Sequence, residues 1–127
     1  MVRLLRAWLI IFLAVLWLPA GAQAQAHHTA QSAHADPAII SVAELPPEAR
    51  ATLRAIKHGG PFAYPRDGVV FSNFERILPK RPRGYYHEYT VKTPGAHNRG
   101  ARRIISGTTG EYYFTSDHYK TFKRIQE

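Results

Sequence analysis

Cysteine is absent from the 127 residues, so no disulfide can staple this chain and packing alone must hold its fold. Acidic side chains are scarce: nine Asp and Glu stand against 17 Lys and Arg, a formal charge of +8. That imbalance favours a polyanionic partner, nucleic acid or an anionic surface; the blander alternative, which charge alone does not separate from it, is charge kept for solubility. Long apolar runs are missing after residue 18, and the one at Ala7 to Leu18 ends at Pro19. It falls short of the ~20 residues that a membrane-crossing helix needs. No internal repeat and no second domain is visible.

What the first segment does contain is Arg3 and Arg6, the apolar Ala7 to Leu18, and the small-x-small triplets Ala22-Gln23-Ala24 and Ala24-Gln25-Ala26. This is the make-up of a secretory leader, expected over residues 1–26, with an uncleaved anchor as the alternative. Losing Arg3 and Arg6 leaves 15 basic residues against nine acids, a net of +6. The mature protein is expected to be secreted, extracellular or periplasmic, without stable membrane association. Residues 27–38, "HHTAQSAHADPA", are small, polar and aperiodic, and are expected to form a flexible linker. His27, His28 and His34 lie there without a scaffold of further ligands, so no metal and no cofactor is expected.

The remaining 39–127 are expected to fold as one domain. "LPPEARATLRAIKHGG" predicts a helix: Pro47 suits a first turn, Glu48 complements the dipole, and Lys57 and His58 close it before Gly59. Ala49, Leu53 and Ile56 recur on one stripe that should pack on a flat partner. Short β-prone runs follow at Val69–Phe71, Tyr85–Val91, Arg103–Ser106, Tyr112–Phe114 and Thr121–Ile125, divided by Pro- and Gly-containing turns. The expected class is α+β: one N-terminal helix packed on a twisted antiparallel β-sheet.

Along Tyr85–Val91, alternation sets Tyr86, Glu88 and Thr90 on one face and Tyr85, His87, Tyr89 and Val91 on the other. The second set is larger and more apolar and is the expected core face. Glu88 then points from the open side, and His87 is expected to be structural. If the strands pair around "TPGAHNRG", Arg99 and Arg103 approach Glu88, while Arg102 is out of phase and faces solvent or a carboxylate. His118 follows in "DHY". Each of these residues alone reads as an ordinary surface group; acid, guanidiniums and histidine together read as a site. Phosphodiester transesterification needs that set: a carboxylate to take a proton, a histidinium to give one, and planar guanidiniums to hold phosphoryl oxygens. Lys80, Arg81 and Arg83 of "PKRPRG" are candidates for flanking phosphates, although charges on such loops are more often simply solvated.

Five blocks in order resemble the guanyl-specific microbial ribonucleases, the barnase- and ribonuclease Sa-like family. They are "AELPPEA" (Ala43–Ala49), "DGVVFSNFE" (Asp67–Glu75), "GYYHEYTV" (Gly84–Val91), "TPGAHNRGARRII" (Thr93–Ile105) and "DHYKTF" (Asp117–Phe122). The resemblance covers roughly Ser41 to Ile125. It implies Glu88 as general base, His118 as general acid, and Arg99 and Arg103 as phosphate-binding arginines. It makes "FSNFE" (Phe71, Ser72, Asn73, Phe74 and Glu75) a guanine-recognition loop, with Glu75 accepting from the base, backbone N–H groups near Asn73 and Phe74 meeting O6, and Phe71 and Tyr119 stacking. Phe74 and His97 depart from the family, which often places arginine at the first and has it in a relative at the second. His97 still counts among the implied substrate-binding residues. The implied protein is a monomeric, metal-independent endoribonuclease cleaving single-stranded RNA 3′ of guanosine through a 2′,3′-cyclic phosphate. An acidic, barstar-like inhibitor is an implied partner. The alternative is a catalytically weak, basic antimicrobial protein that binds RNA or anionic surfaces.

Overall fold

The computed structural model describes residues 35–127. The expected leader and all but the last four residues of the expected linker lie outside the described residues. The elements in chain order are β1 (Ala38–Ser41), a short 3-10 turn (Val42–Glu44), α1 (Pro47–His58), β2 (Val69–Val70), β3 (Tyr86–Thr90), β4 (Arg103–Gly107), β5 (Tyr112–Thr115) and β6 (Lys123–Gln126).

The helix begins and ends where its residues dictate. Pro47 occupies the first turn, Lys57 and His58 the last, and Gly59 caps it in the left-handed region at φ 78°. Arg50 ties the helix to the segment before it by donating to the carbonyls of Ala43 and Leu45, at 3.1 and 2.9 Å. Ala49 and Leu53 are buried against Leu45, Val91, Ile104, Phe114 and Ile125, with Ile56 at the margin. Arg102 turns toward Glu48 of the helix, 3.9 Å away, so the neighbouring carboxylate is its partner.

The sheet has the order β1-β6-β5-β4-β3-β2. From β2 to β6 every pairing is antiparallel, as the meander predicts. β1 departs from that expectation: it runs parallel to β6, pairing Ile40 with Ile125, and makes the sheet mixed. Its "AIIS" run is too short and too exposed to announce itself, and its partner lies at the other end of the chain.

The expected core face of β3 is only half of the account: Val91 is fully buried in the helix-side core as expected, but the opposite face is buried as well. Tyr86, Glu88 and Thr90 are the buried set, while His87 and Tyr89 are only half-buried. The sheet is covered on both faces. Leu78, Tyr86, Ile105, Tyr113 and Phe122 form a second core opposite the helix. Alternation correctly sorts the two sets, but it cannot say which face will be covered by loops from elsewhere in the chain. His87 sits where its phase predicts, its ring nitrogens 2.9 and 3.1 Å from the carbonyl oxygens of Gly68 and Gly84.

Candidate active site

Glu88 stands mid-way along β3, paired with Val69 of β2 and Ile105 of β4, and is only 5% exposed. A carboxylate at that depth needs compensation, because burying an unpaired charge costs several kcal/mol. Three groups supply it. The Tyr119 hydroxyl donates to Oε2. The guanidiniums of Arg66 and Arg99 approach Oε1 to 3.6 and 3.8 Å.

Arg99 is held in place by Thr90, whose buried hydroxyl oxygen accepts from Nε and Nη2 at 3.0 and 2.8 Å. Arg103 is different in kind. It is 2% exposed, and its Nη1 donates to the carbonyls of Gly100 and Arg102 at 2.9 and 2.8 Å. Its Nε donates to the Tyr119 hydroxyl at 3.1 Å. A polarised relay therefore runs from the Arg103 guanidinium through the phenol to the Glu88 carboxylate. Burial, then the bond to Glu88, pushes the Tyr119 phenol above its ordinary range, so it stays protonated and keeps donating.

His118 and Tyr119 both adopt left-handed backbone, at φ 57° and 70°, which costs non-glycine residues free energy and must be over-determined by surroundings. Asp117 is the fastener. Its carboxylate accepts from the Thr121 hydroxyl and N–H at 2.6 and 2.9 Å and from the Thr115 hydroxyl at 2.9 Å. These bonds, Thr121 foremost, hold the Asp117 carboxyl down at about 2. The His118 N–H reaches the Ala101 carbonyl at 3.1 Å, so the turn is moored to the approach to β4. The exposed imidazole lies tilted against the Tyr119 ring, 5.0 Å between centroids.

Glu88, Arg66, Arg99, His118 and Tyr119 line one open cleft of about 450 Å³. Its other wall is the Phe71–Glu75 loop. Phe71 stacks on Tyr119 at 5.3 Å, which leaves a paired aromatic platform inside the cleft. Asn73, at φ 50°, pins the loop by donating to the Leu78 carbonyl at 2.9 Å and accepting the Leu78 N–H at 3.1 Å. Phe74 is 89% exposed at the loop's crest. Ser72, Asn73, Phe74 and Glu75 all border the cleft.

Two expected residues lie elsewhere. His97 is exposed in the turn after β3 and is not among the cleft residues, and Arg103 is buried behind Tyr119 instead of lining the space. The sequence reading also passes over Arg66, in the turn-rich "YPRDG", and Thr90 and Asp117, which orient the visible groups. Arg66 had no signal beyond its charge. Thr90 shares the phase of Glu88, so strand alternation places it on the same face. Among the described residues no three of His, Cys, Asp or Glu are grouped as metal ligands would be.

Comparison with known proteins decides the family. Residues 25–126 match the ribonuclease family model. The chain belongs to the microbial ribonucleases. It is 56% identical over 84 residues to guanyl-specific ribonuclease St of Saccharopolyspora erythraea, spanning 66% of this chain and 83% of that protein. It is likewise 56% identical over 89 residues to guanyl-specific ribonuclease Sa of Kitasatospora aureofaciens, spanning 69% and 93%. Ribonuclease Sa2 in complex with mononucleotides has a similar structure, with a TM-score of 0.71 at 49% identity over 72% of this ribonuclease and 95% of that chain. Sa2 has also been solved with guanosine-2′-cyclophosphate, at a TM-score of 0.68 and 50% identity.

Proposed function

We propose that this ribonuclease is a guanyl-preferring endonuclease that cleaves single-stranded RNA 3′ of guanosine, with Glu88 as base and His118 as acid. The observation that carries the proposal is the shared cleft: a buried carboxylate and an exposed imidazole border it together with the Arg66 and Arg99 guanidiniums. Glu88 takes the proton of the ribose 2′-hydroxyl, and the 2′-oxygen bonds to phosphorus. The P–O5′ bond breaks as the His118 imidazolium protonates the departing oxygen. Hydrolysis reverses the roles: neutral His118 takes a proton from water, whose oxygen bonds to phosphorus, and the P–O2′ bond breaks as the Glu88 carboxylic acid returns its proton to the departing 2′-oxygen. Arg99 and Arg66 hold the phosphoryl oxygens as negative charge develops, and Arg103 adds positive charge from behind the phenol.

Base preference comes from the Phe71–Glu75 loop in this reading. Glu75 accepts from guanine N1 and N2, backbone N–H groups at Asn73 and Phe74 meet O6, and the base stacks on the Phe71–Tyr119 platform at ~1 to 3 kcal/mol. That the similar proteins St and Sa are guanyl-specific supports it. Export by the leader at residues 1–26 and a monomeric mature domain belong to the same reading. So does an acidic inhibitor that mimics phosphates at the cationic cleft.

The deciding experiment incubates the purified protein with guanylyl-(3′,5′)-cytidine and with its 2′-deoxyguanosine analogue. Guanosine 2′,3′-cyclic phosphate should form from the first alone, and Glu88→Ala or His118→Ala should lower kcat/KM at least ~100-fold. Equal turnover of the deoxy substrate would discard the mechanism.

A further inference from the structure

Beyond Tyr86, at the end of β3 away from Arg99, lies a second concavity of about 320 Å³. Its floor is Tyr86, and its cationic wall is Arg76, Lys80, Arg81 and Arg83. All four cations are exposed, and among the described residues none forms a salt bridge. The wall is held in shape. The Tyr86 hydroxyl donates to the Pro79 carbonyl at 2.7 Å, and the Tyr85 N–H to the Pro82 carbonyl at 3.1 Å. The Arg81 guanidinium lies over the Tyr85 ring at 5.1 Å. Two prolines restrict the unfolded chain and lower the cost of keeping these charges together.

The groove is continuous with the catalytic cleft. The segment from Phe71 to Phe74 borders both, and the exposed Phe74 ring stands on the divide. β3 supplies the direction. Thr90 holds Arg99, Glu88 lies two residues on, and Tyr86 two further, about 13 Å along the strand at ~3.3 Å per residue. With the guanosine at the Phe71–Glu75 loop, whose Phe71–Phe74 segment borders both spaces, and its 3′-phosphate near Glu88 and Arg99, the second groove lies across the guanosine from the scissile phosphate. The end at Tyr86 remains for the strand on the 5′ side.

We propose that this groove is an upstream RNA subsite. Lys80, Arg83 and their neighbours take the phosphates of nucleotides 5′ of the bound guanosine, and Phe74 stacks on the adjoining base. The proposal rests on the ribonuclease reading. It favours nucleic acid over a membrane because the cations line a concavity beside an aromatic ring, where a strand fits and a flat bilayer does not.

The test compares the protein with its Lys80→Ala/Arg83→Ala double variant on three substrates with one guanosine each. They are guanylyl-(3′,5′)-cytidine, the same dinucleotide with three uridines on its 5′ side, and the same with three on its 3′ side. For the 5′-extended substrate the variant should lose ~10-fold in kcat/KM, and its log–log salt slope should fall by about 1.4, two phosphates' worth on a single strand. The other two substrates should stay within about twofold, since neither reaches the groove. A comparable loss on all three would mark a diffuse field, and no loss on the 5′-extended one would leave the groove without a role; either overturns the proposal. If no substrate is cleaved, the ribonuclease reading fails by itself. The groove is then read by fluorescence anisotropy with the 5′-extended oligonucleotide carrying 2′-deoxyguanosine, where equal binding by both proteins overturns it. Loss of binding to phosphatidylserine vesicles with 5′-extended turnover intact would reassign the groove to membranes.

Discussion

A carboxylate that is 5% exposed owes its tolerance to the groups around it, and for Glu88 the nearest is a phenol. Tyr119 serves the site three times. It donates to Glu88, accepts from Arg103, and presents a face already stacked on Phe71. Tyr119→Phe keeps the ring and removes the relay. A hydrogen bond to a charged group contributes about 1.5 to 3 kcal/mol, so urea unfolding should report a stability loss of that order. kcat/KM on the guanylyl dinucleotide should fall ~10-fold, with the larger part in kcat, because the aromatic platform is kept while the carboxylate loses its orienting donor. An unchanged kcat would remove Tyr119 from the positioning role.

The loop from Phe71 to Leu78 shows how one side chain can set the form of a whole cleft-lining segment. Asn73 makes both amide bonds to Leu78, whose side chain is anchored in the second core, and does so from left-handed backbone. Asparagine tolerates that backbone better than most residues, and alanine does not. Asn73→Ala should raise KM for the guanylyl dinucleotide several-fold with kcat within about twofold, since under the proposed function the loop contacts the base and takes no part in proton transfer. Asn73→Gly removes the same bonds but fits the backbone, so it should match the alanine variant in KM while unfolding about 1 kcal/mol later. Equal stabilities for the two variants would show that strain at φ 50° is not expressed there.

The molecule buries its sheet on both faces without a covalent crosslink, and one tyrosine links that packing to pH. Burial pushes the Tyr86 phenol up to about 12 from 10.0, and its hydroxyl is committed to the Pro79 carbonyl. A raised folded-state value means that the stabilisation is complete below 10.0 and is lost as pH climbs through about 12. Stability followed by circular dichroism in urea should therefore fall steeply across that alkaline window. Tyr86→Phe should be less stable at neutral pH yet show a shallower alkaline decline. An unaltered decline would assign the alkaline loss to Tyr113 and Tyr119, which burial also raises.

Much of this was legible along the chain. Pro47 and Gly59 mark the helix ends, the turn residues separate five of the six strands, and the blocks around Glu88 and His118 carry the family. These features are local: a cap, an alternation or a turn acts within a few residues, so its signal survives in a linear string. Folding settled what depends on distant groups. It buried the Glu88 face of β3 as well as the helix face, because Leu78 and Phe122 close over it from other parts of the chain. It added β1 beside β6, moved Arg103 behind Tyr119, left His97 outside the cleft, and brought Arg66 to the carboxylate. Alternation states which residues share a face but not what will cover it, and a guanidinium's reach spans several backbone positions. Its target is therefore set by packing between elements and not by place in the chain.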